Sequence, residues 1–173
     1  MIKNWERITK NKINYRKGHV YCKLWDTDID VLLFDDDVTE EYAERCAEAM
    51  NNMPDELVDA ICRAAKKYCI EFLDEIGGAS LNEIELTVPV DENTPPREII
   101  KCITPNALSV ETPEDPSRIG YVLDCNCDWE EEHGMEIDIL DDRLVFLREF
   151  TGGSPWSDHS EDAWNYARDI YED

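Results

Sequence analysis

The chain has 173 residues, 42% of them hydrophobic, and a formal charge of −24. A chain of this length buries roughly 70% of its extended surface in one core, so it needs no covalent staples. No apolar run approaches the ~20 residues that span a bilayer, no export leader opens the sequence, and after residue 23 forty acids face ten bases, a balance that repels a phosphate backbone. Membrane and nucleic-acid partners are thereby excluded, and a cytoplasmic protein is expected.

Residues 1–18 read as a basic N-terminal segment set apart from a single domain over 19–173. Lys3, Arg7, Lys10, Lys12, Arg16 and Lys17 stand there against Glu6 alone. Val20, Cys22 and Leu24, then Ile29, Val31 and Leu33, alternate with polar or outward positions, and Asp26-Thr27-Asp28 supplies turn chemistry between them. A hairpin opening the domain follows.

From Asp37 the period changes. Asp37 or Thr39 can cap a helix whose first-turn acids, Glu40 and Glu41, suit the positive end of the dipole. Tyr42, Cys46, Ala49, Met50 and Met53 recur at helical spacing until Pro54, which suits the first turn of a second helix. There Leu57, Ile61, Ala65, Tyr68, Phe72 and Ile76 carry a long apolar stripe that Gly77-Gly78 stops. So short a link predicts an antiparallel helical hairpin.

Ile84, Leu86, Val88 and Val90 alternate as in a strand, weakened by Pro89. Pro96 can begin a short helix through Ile99, Ile100 and Ile103, and a brief strand follows over 107–111. The clearest period-two pattern runs from Ile119 to Phe150. Tyr121, Leu123, Cys125 and Cys127 share one face; Met135, Ile137 and Ile139 share another; Leu144 to Phe150 alternate again. These read as three antiparallel strands, joined by Trp129–Gly134 at one end and by Asp141-Asp142 at the other. Thr151–Trp156 reads as a flexible turn. A final helix is expected with Ala163, Trp164, Ala167, Ile170 and Tyr171 on one face. The fold class expected is therefore α+β: an antiparallel sheet with the antiparallel helical hairpin and a C-terminal helix packed on it.

Seven cysteines, an odd number in a chain with no export signal, are expected to be reduced, several of them as small core hydrophobes. The polar cluster Asp124, Asp128, Glu130, Glu131, Glu132 and His133, with Cys125 and Cys127 beside it, admits three readings. Carboxylates with cysteine and histidine suit divalent metals, but Cys125 and Cys127 lack the spacing of a structural zinc site. His133 with Glu132 could act as an acid–base pair, with Asp128 or Glu130 as helpers. The plainer reading is structural: Trp129 folds over the sheet edge, His133 bonds loop backbone, and Gly134 takes a dihedral forbidden to side chains. No glycine-rich phosphate loop, nucleophile elbow or paired zinc-binding histidines occur, so no cofactor and no resident metal are expected.

The run Trp129-Glu130-Glu131-Glu132-His133-Gly134 resembles a signature, Trp-acid-x-Glu-His-Gly, of uncharacterised bacterial proteins classed as domains of unknown function. The similarity extends back through 99–105 and 120–127. Only Trp129, Glu132, His133 and Gly134 match the signature firmly, and Asp141-Asp142 stands where a glycine turn is common. Some such families lie beside polymorphic toxins, which implies an immunity role. The sequence therefore predicts a non-enzymatic acidic protein that binds a basic protein, an immunity protein for a cationic toxin, through Asp35, Asp36, Asp128, Glu130, Glu131 and Glu132. The alternative is a metal-dependent or acid–base hydrolase using His133 and Glu132, and a third reading is a scaffold whose acidity serves solubility alone.

Overall fold

The computed structural model describes residues 1–172. Among them seven strands form one sheet in sequence order: β1 (Lys3–Lys10), β2 (Ile13–Cys22), β3 (Thr27–Leu33), β4 (Ile103–Ser109), β5 (Gly120–Cys127), β6 (Glu130–Leu140) and β7 (Arg143–Glu149). The basic start of the chain is β1 and most of β2, closed by Asn11-Lys12 with both residues at positive φ. That turn twists as the flanking strands do, and Asp141-Asp142 repeats it between β6 and β7. Lys and Arg along β1 suit an outer strand, because charge discourages further pairing.

Two α-helices, α1 (Glu40–Asn51) and α2 (Asp55–Ile76), lie between β3 and β4. Thr39 caps α1 by accepting from the Tyr42 amide at 3.0 Å, and Pro54 stands at the cap position of α2. This long excursion corrects the expected antiparallel sheet: β3 and β4 pair in parallel through 30–32 and 107–109. A parallel partner requires the chain to return to the starting end of the sheet, and the two helices carry it there. Nor do the helices form the expected hairpin. They follow each other in sequence without packing along their lengths; α1 meets β2, whereas α2 packs on β7 and on the short 3-10 helix Pro96–Cys102. Their buried apolar residues belong to one core cluster with those of the sheet.

The register defines the two faces. Gly18, Val31, Leu108, Leu123, Ile137 and Leu147 are successive cross-strand partners and all are buried under the helices. One residue along each strand, Asp30, Ala107, Asp124, Glu136 and Arg148 make a row on the opposite face. All seven cysteines are buried and free. Burial pushes the thiols of Cys46, Cys62, Cys69 and Cys127 up to about 12, so they act as small hydrophobes.

Three further expectations are corrected. Residues 84–90 form no strand: a 3-10 helix, Gly78–Glu83, precedes an irregular stretch whose Thr87 amide and hydroxyl both donate to Asp128 at 2.8 Å. The Trp129–Gly134 connection shrinks to Asp128-Trp129, since β6 already begins at Glu130 and pairs it with Cys127. Finally, residues 155–172 are turns, not a helix. Asn165 accepts from the Leu147 amide at 3.1 Å and donates to the Val145 carbonyl at 2.8 Å, while the Tyr166 amide donates to the Leu147 carbonyl at 3.0 Å. The tail thus satisfies the open edge of β7, and those backbone groups compete successfully with a local helix.

Candidate functional site: an acidic cavity at the ends of the parallel strands

The sequence signature lies at one end of the sheet. Trp129 is fully buried, edge-on to the Tyr68 ring of α2 at 5.5 Å between centroids. Gly134 has φ +71, and a Cβ there would lie 2.7 Å from the Cys125 carbonyl, so only glycine fits this bulge. Glu130 is buried; its Oε1 accepts the amides of Glu132 and His133, and its Oε2 meets His133 Nδ1 at 3.0 Å. The histidine therefore bonds a carboxylate, not the loop backbone that the sequence suggested. Its ring remains 60% exposed, and Glu131 and Glu132 are exposed beside it. Glu130, His133 and Glu149 each bring one ligand atom within 4.8 Å of the others, although Glu130 already commits both oxygens to the turn.

The remaining residues singled out from the sequence are scattered. Asp128 anchors Thr87, and Asp36 pairs with Arg7 at 3.2 Å. Asp35, although next to Asp36 in the chain, lines a different feature, a cavity of about 420 Å³ on the face away from the helices. It opens where β3 and β4, running parallel, both end: Leu32, Phe34 and Asp35 form one wall and Ser109, Val110 and Glu111 another. Asp124 and Glu136, cross-strand neighbours on β5 and β6, line it with them, and Phe150, Gly152, Gly153 and Pro155 complete it.

Each carboxyl has its own environment. Glu136 is fully buried and accepts the amides of Thr151, Gly152 and Gly153 at 2.7, 2.9 and 3.1 Å. Three amides converging on one carboxylate form an anion nest. The glycines permit it, since Gly152 has φ +71 and a Cβ on Gly153 would approach Glu136 Oε1 to 2.8 Å. Asp124 accepts from the Ser109 hydroxyl through Oδ2 at 2.8 Å, while its buried Oδ1 has no partner. Burial, opposed by that hydrogen bond and reinforced by Glu136, pushes Asp124 up to about 6. Burial likewise raises Glu111, to which the Ser154 hydroxyl donates.

Asp138, two residues along β6 on the same face, is fully buried, and neither of its oxygens accepts from a donor among the described residues. His159 Nε2 lies 3.8 Å away but donates to the Ser154 carbonyl at 2.9 Å. Burial first, and then the charge of Glu136 beside it, push Asp138 up to about 9. At neutral pH it is an uncharged acid, a donor toward Glu136 instead of an acceptor.

The alternation sets Glu136 and Asp138 on the strand face opposite Met135, Ile137 and Ile139; Asp124 groups in the sequence with the His133 cluster, whereas the fold places it beside Glu136, and Glu111 carries no signal of its own. The available signal was indirect: acids alternate with apolar residues on a strand paired on both sides, and a Gly-Gly pair follows β7 closely.

Comparison with known families matches residues 4–154 to a model described as Domain of unknown function (DUF6985). No curated protein and no solved structure matches the chain. No helix among the described residues is long and apolar enough to cross a membrane.

Proposed function

Taking as premise that the chain belongs to the family described as a domain of unknown function (DUF6985), we propose that it is a non-enzymatic binding protein for a basic protein partner, in the manner of an immunity protein that neutralises a cationic toxin. The observation that carries this reading is segregated charge. The bases of the first 23 residues are gathered on the β1–β2 hairpin at one side of the sheet and at its end, and the rest of the chain holds forty acids against ten bases. Such a surface accelerates the approach of a cationic partner and repels anionic ones. Exposed Glu131 and Glu132 at the start of β6, and Asp35 and Asp36 beyond β3, belong to that surface.

The decisive experiment co-purifies the chain with the product of the gene beside its own and measures affinity across a salt series. A basic partner whose affinity falls steeply with salt is expected, because exposed charge pairs are screened over about 10 Å at 0.1 M. Affinity indifferent to salt, or an acidic partner, overturns the reading. The rival, a metal-dependent or acid–base hydrolase using His133 and Glu132, draws on the Glu130–His133–Glu149 geometry. Calorimetric titration with zinc and manganese, on the native protein and on His133→Ala, separates the two: tight binding lost in the variant supports the hydrolase.

A further inference from the structure

The cavity has a composition that general acidity does not explain. Four carboxyl residues, Asp35, Glu111, Asp124 and Glu136, line it, and among the described residues no Lys, Arg or His does. Two bases come near without lining it: the Arg16 guanidinium donates to the Asp35 backbone carbonyl at 3.1 Å, and Arg148, the cross-strand neighbour of Glu136, pairs with Glu149 at 2.6 Å and Asp162 at 3.7 Å. The walls between the carboxyls are apolar: Leu32, Val110, Val122 and Pro155, with Phe34 and Phe150 at 52% and 48% exposure. Two half-exposed phenylalanines beside carboxylates satisfy neither water nor the core.

We propose that this cavity receives the side chain of an arginine presented by the partner protein, its guanidinium taken by Asp124 and its neighbours and its methylenes and planar face by the apolar and phenylalanine walls. This rests on the reading of the chain as a binder of a basic protein and names the group recognised.

Three features select a guanidinium. Asp124 Oδ2 is held by Ser109, while Oδ1, closed to solvent in the free chain, has no partner among the described residues, so a donor that opens the cavity floor meets a fixed acceptor. A planar fork of five N–H groups can serve Asp124 and a second carboxylate together in a fixed bidentate geometry that an ammonium, with its three rotating donors, lacks. A weakly hydrated guanidinium also tolerates an aromatic, partly dry wall. Glu136, already satisfied by three amides, supplies charge and keeps the Gly152-Gly153 rim in place. Fully buried Asp138, without a donor to either oxygen among the described residues, lies beside the same rim: a Cβ on Gly153 would be 3.9 Å from its Oδ2.

The test is an amide-resolved NMR titration of the full chain with N-acetylarginine amide, with N-acetyllysine amide and N-acetylcitrulline amide as comparisons. Saturable shifts are expected at Ser109, Val110, Asp124, Gly152 and Gly153, with the uncharged citrulline probe weaker by at least about tenfold. Asp124→Asn, which keeps size and the Ser109 contact, should weaken the arginine probe by a similar factor while leaving the remaining spectrum unchanged. No saturable shift at these amides, or equal response to citrulline, overturns the proposal; equal response to lysine overturns its assignment to guanidinium. The two readings fail separately. A basic partner bound equally by the native chain and by Asp124→Asn refutes only the cavity, whereas probe binding with a salt-indifferent partner refutes only the electrostatic binder.

Discussion

Replacing Asp138 with Asn should stabilise the protein at neutral pH and change how its stability depends on pH. In the unfolded chain the carboxyl ionises near its ordinary 3.8, whereas in the fold burial and Glu136 hold it protonated up to about 9. Between those values the native state carries one more proton than the unfolded state, so this group's contribution is fully present below the lower value and is lost as pH rises through the upper one. Keeping the proton at pH 7 costs the native state about 4 kcal/mol, at about 1.4 kcal/mol for each pH unit above 3.8. Asn is uncharged in both states and keeps an N–H donor toward Glu136, so it avoids that cost. Urea unfolding followed by circular dichroism, at fixed ionic strength between about pH 5 and 8, should show the variant gaining on the native chain by about 1.4 kcal/mol per pH unit. Asp124 and Glu111 titrate in both proteins and cancel to first order. A difference constant across that range would mean that Asp138 is ionised in the fold, refuting the burial argument.

Other substitutions probe the elements around the site. Gly134→Ala places a methyl against the Cys125 carbonyl at positive φ and should cost about 1–3 kcal/mol in chemical denaturation; an unchanged midpoint would show that the bulge relaxes freely. Glu130→Ala leaves two amides and the His133 ring without their acceptor and should destabilise by about 1–3 kcal/mol. His133→Ala, at an exposed ring, should cost less than about 1 kcal/mol, and the reverse order in thermal unfolding would overturn the structural account of the signature. Asn165→Ala removes the side chain that bridges the Leu147 amide and the Val145 carbonyl. Hydrogen exchange at Leu147 should then accelerate, by about tenfold for a loss of about 1.4 kcal/mol, and protection equal to the native level would show that the tail holds β7 by other contacts.

Local chemistry was enough for much of this protein. Thr39, one of two candidate caps, and Pro54 announced the helix starts, Gly77 the end of the second helix, Asp141-Asp142 a tight turn, and the alternation from Tyr121 to Ile139 two strands sharing a buried face. Each signal depends on residues within a turn or two of one another, which is why it survives in a one-dimensional reading. The parallel β3–β4 pair, the path of the tail and the cavity belong to another class. Pairing of 30–32 with 107–109 joins residues more than seventy apart, and nothing local distinguishes a parallel neighbour from an antiparallel one. The apolar face of 163–171 suits a helix, but Asn165 and Tyr166 serve the unpaired edge of β7, a demand that exists only once the sheet is built. Alternation on β6 likewise assigned Glu136 and Asp138 to the face away from the helices without showing what would cover it. Whether that face meets water or the Thr151–Gly153 amides is settled by long-range packing, which gives one carboxyl three amide donors and, through burial, leaves its neighbour an uncharged acid.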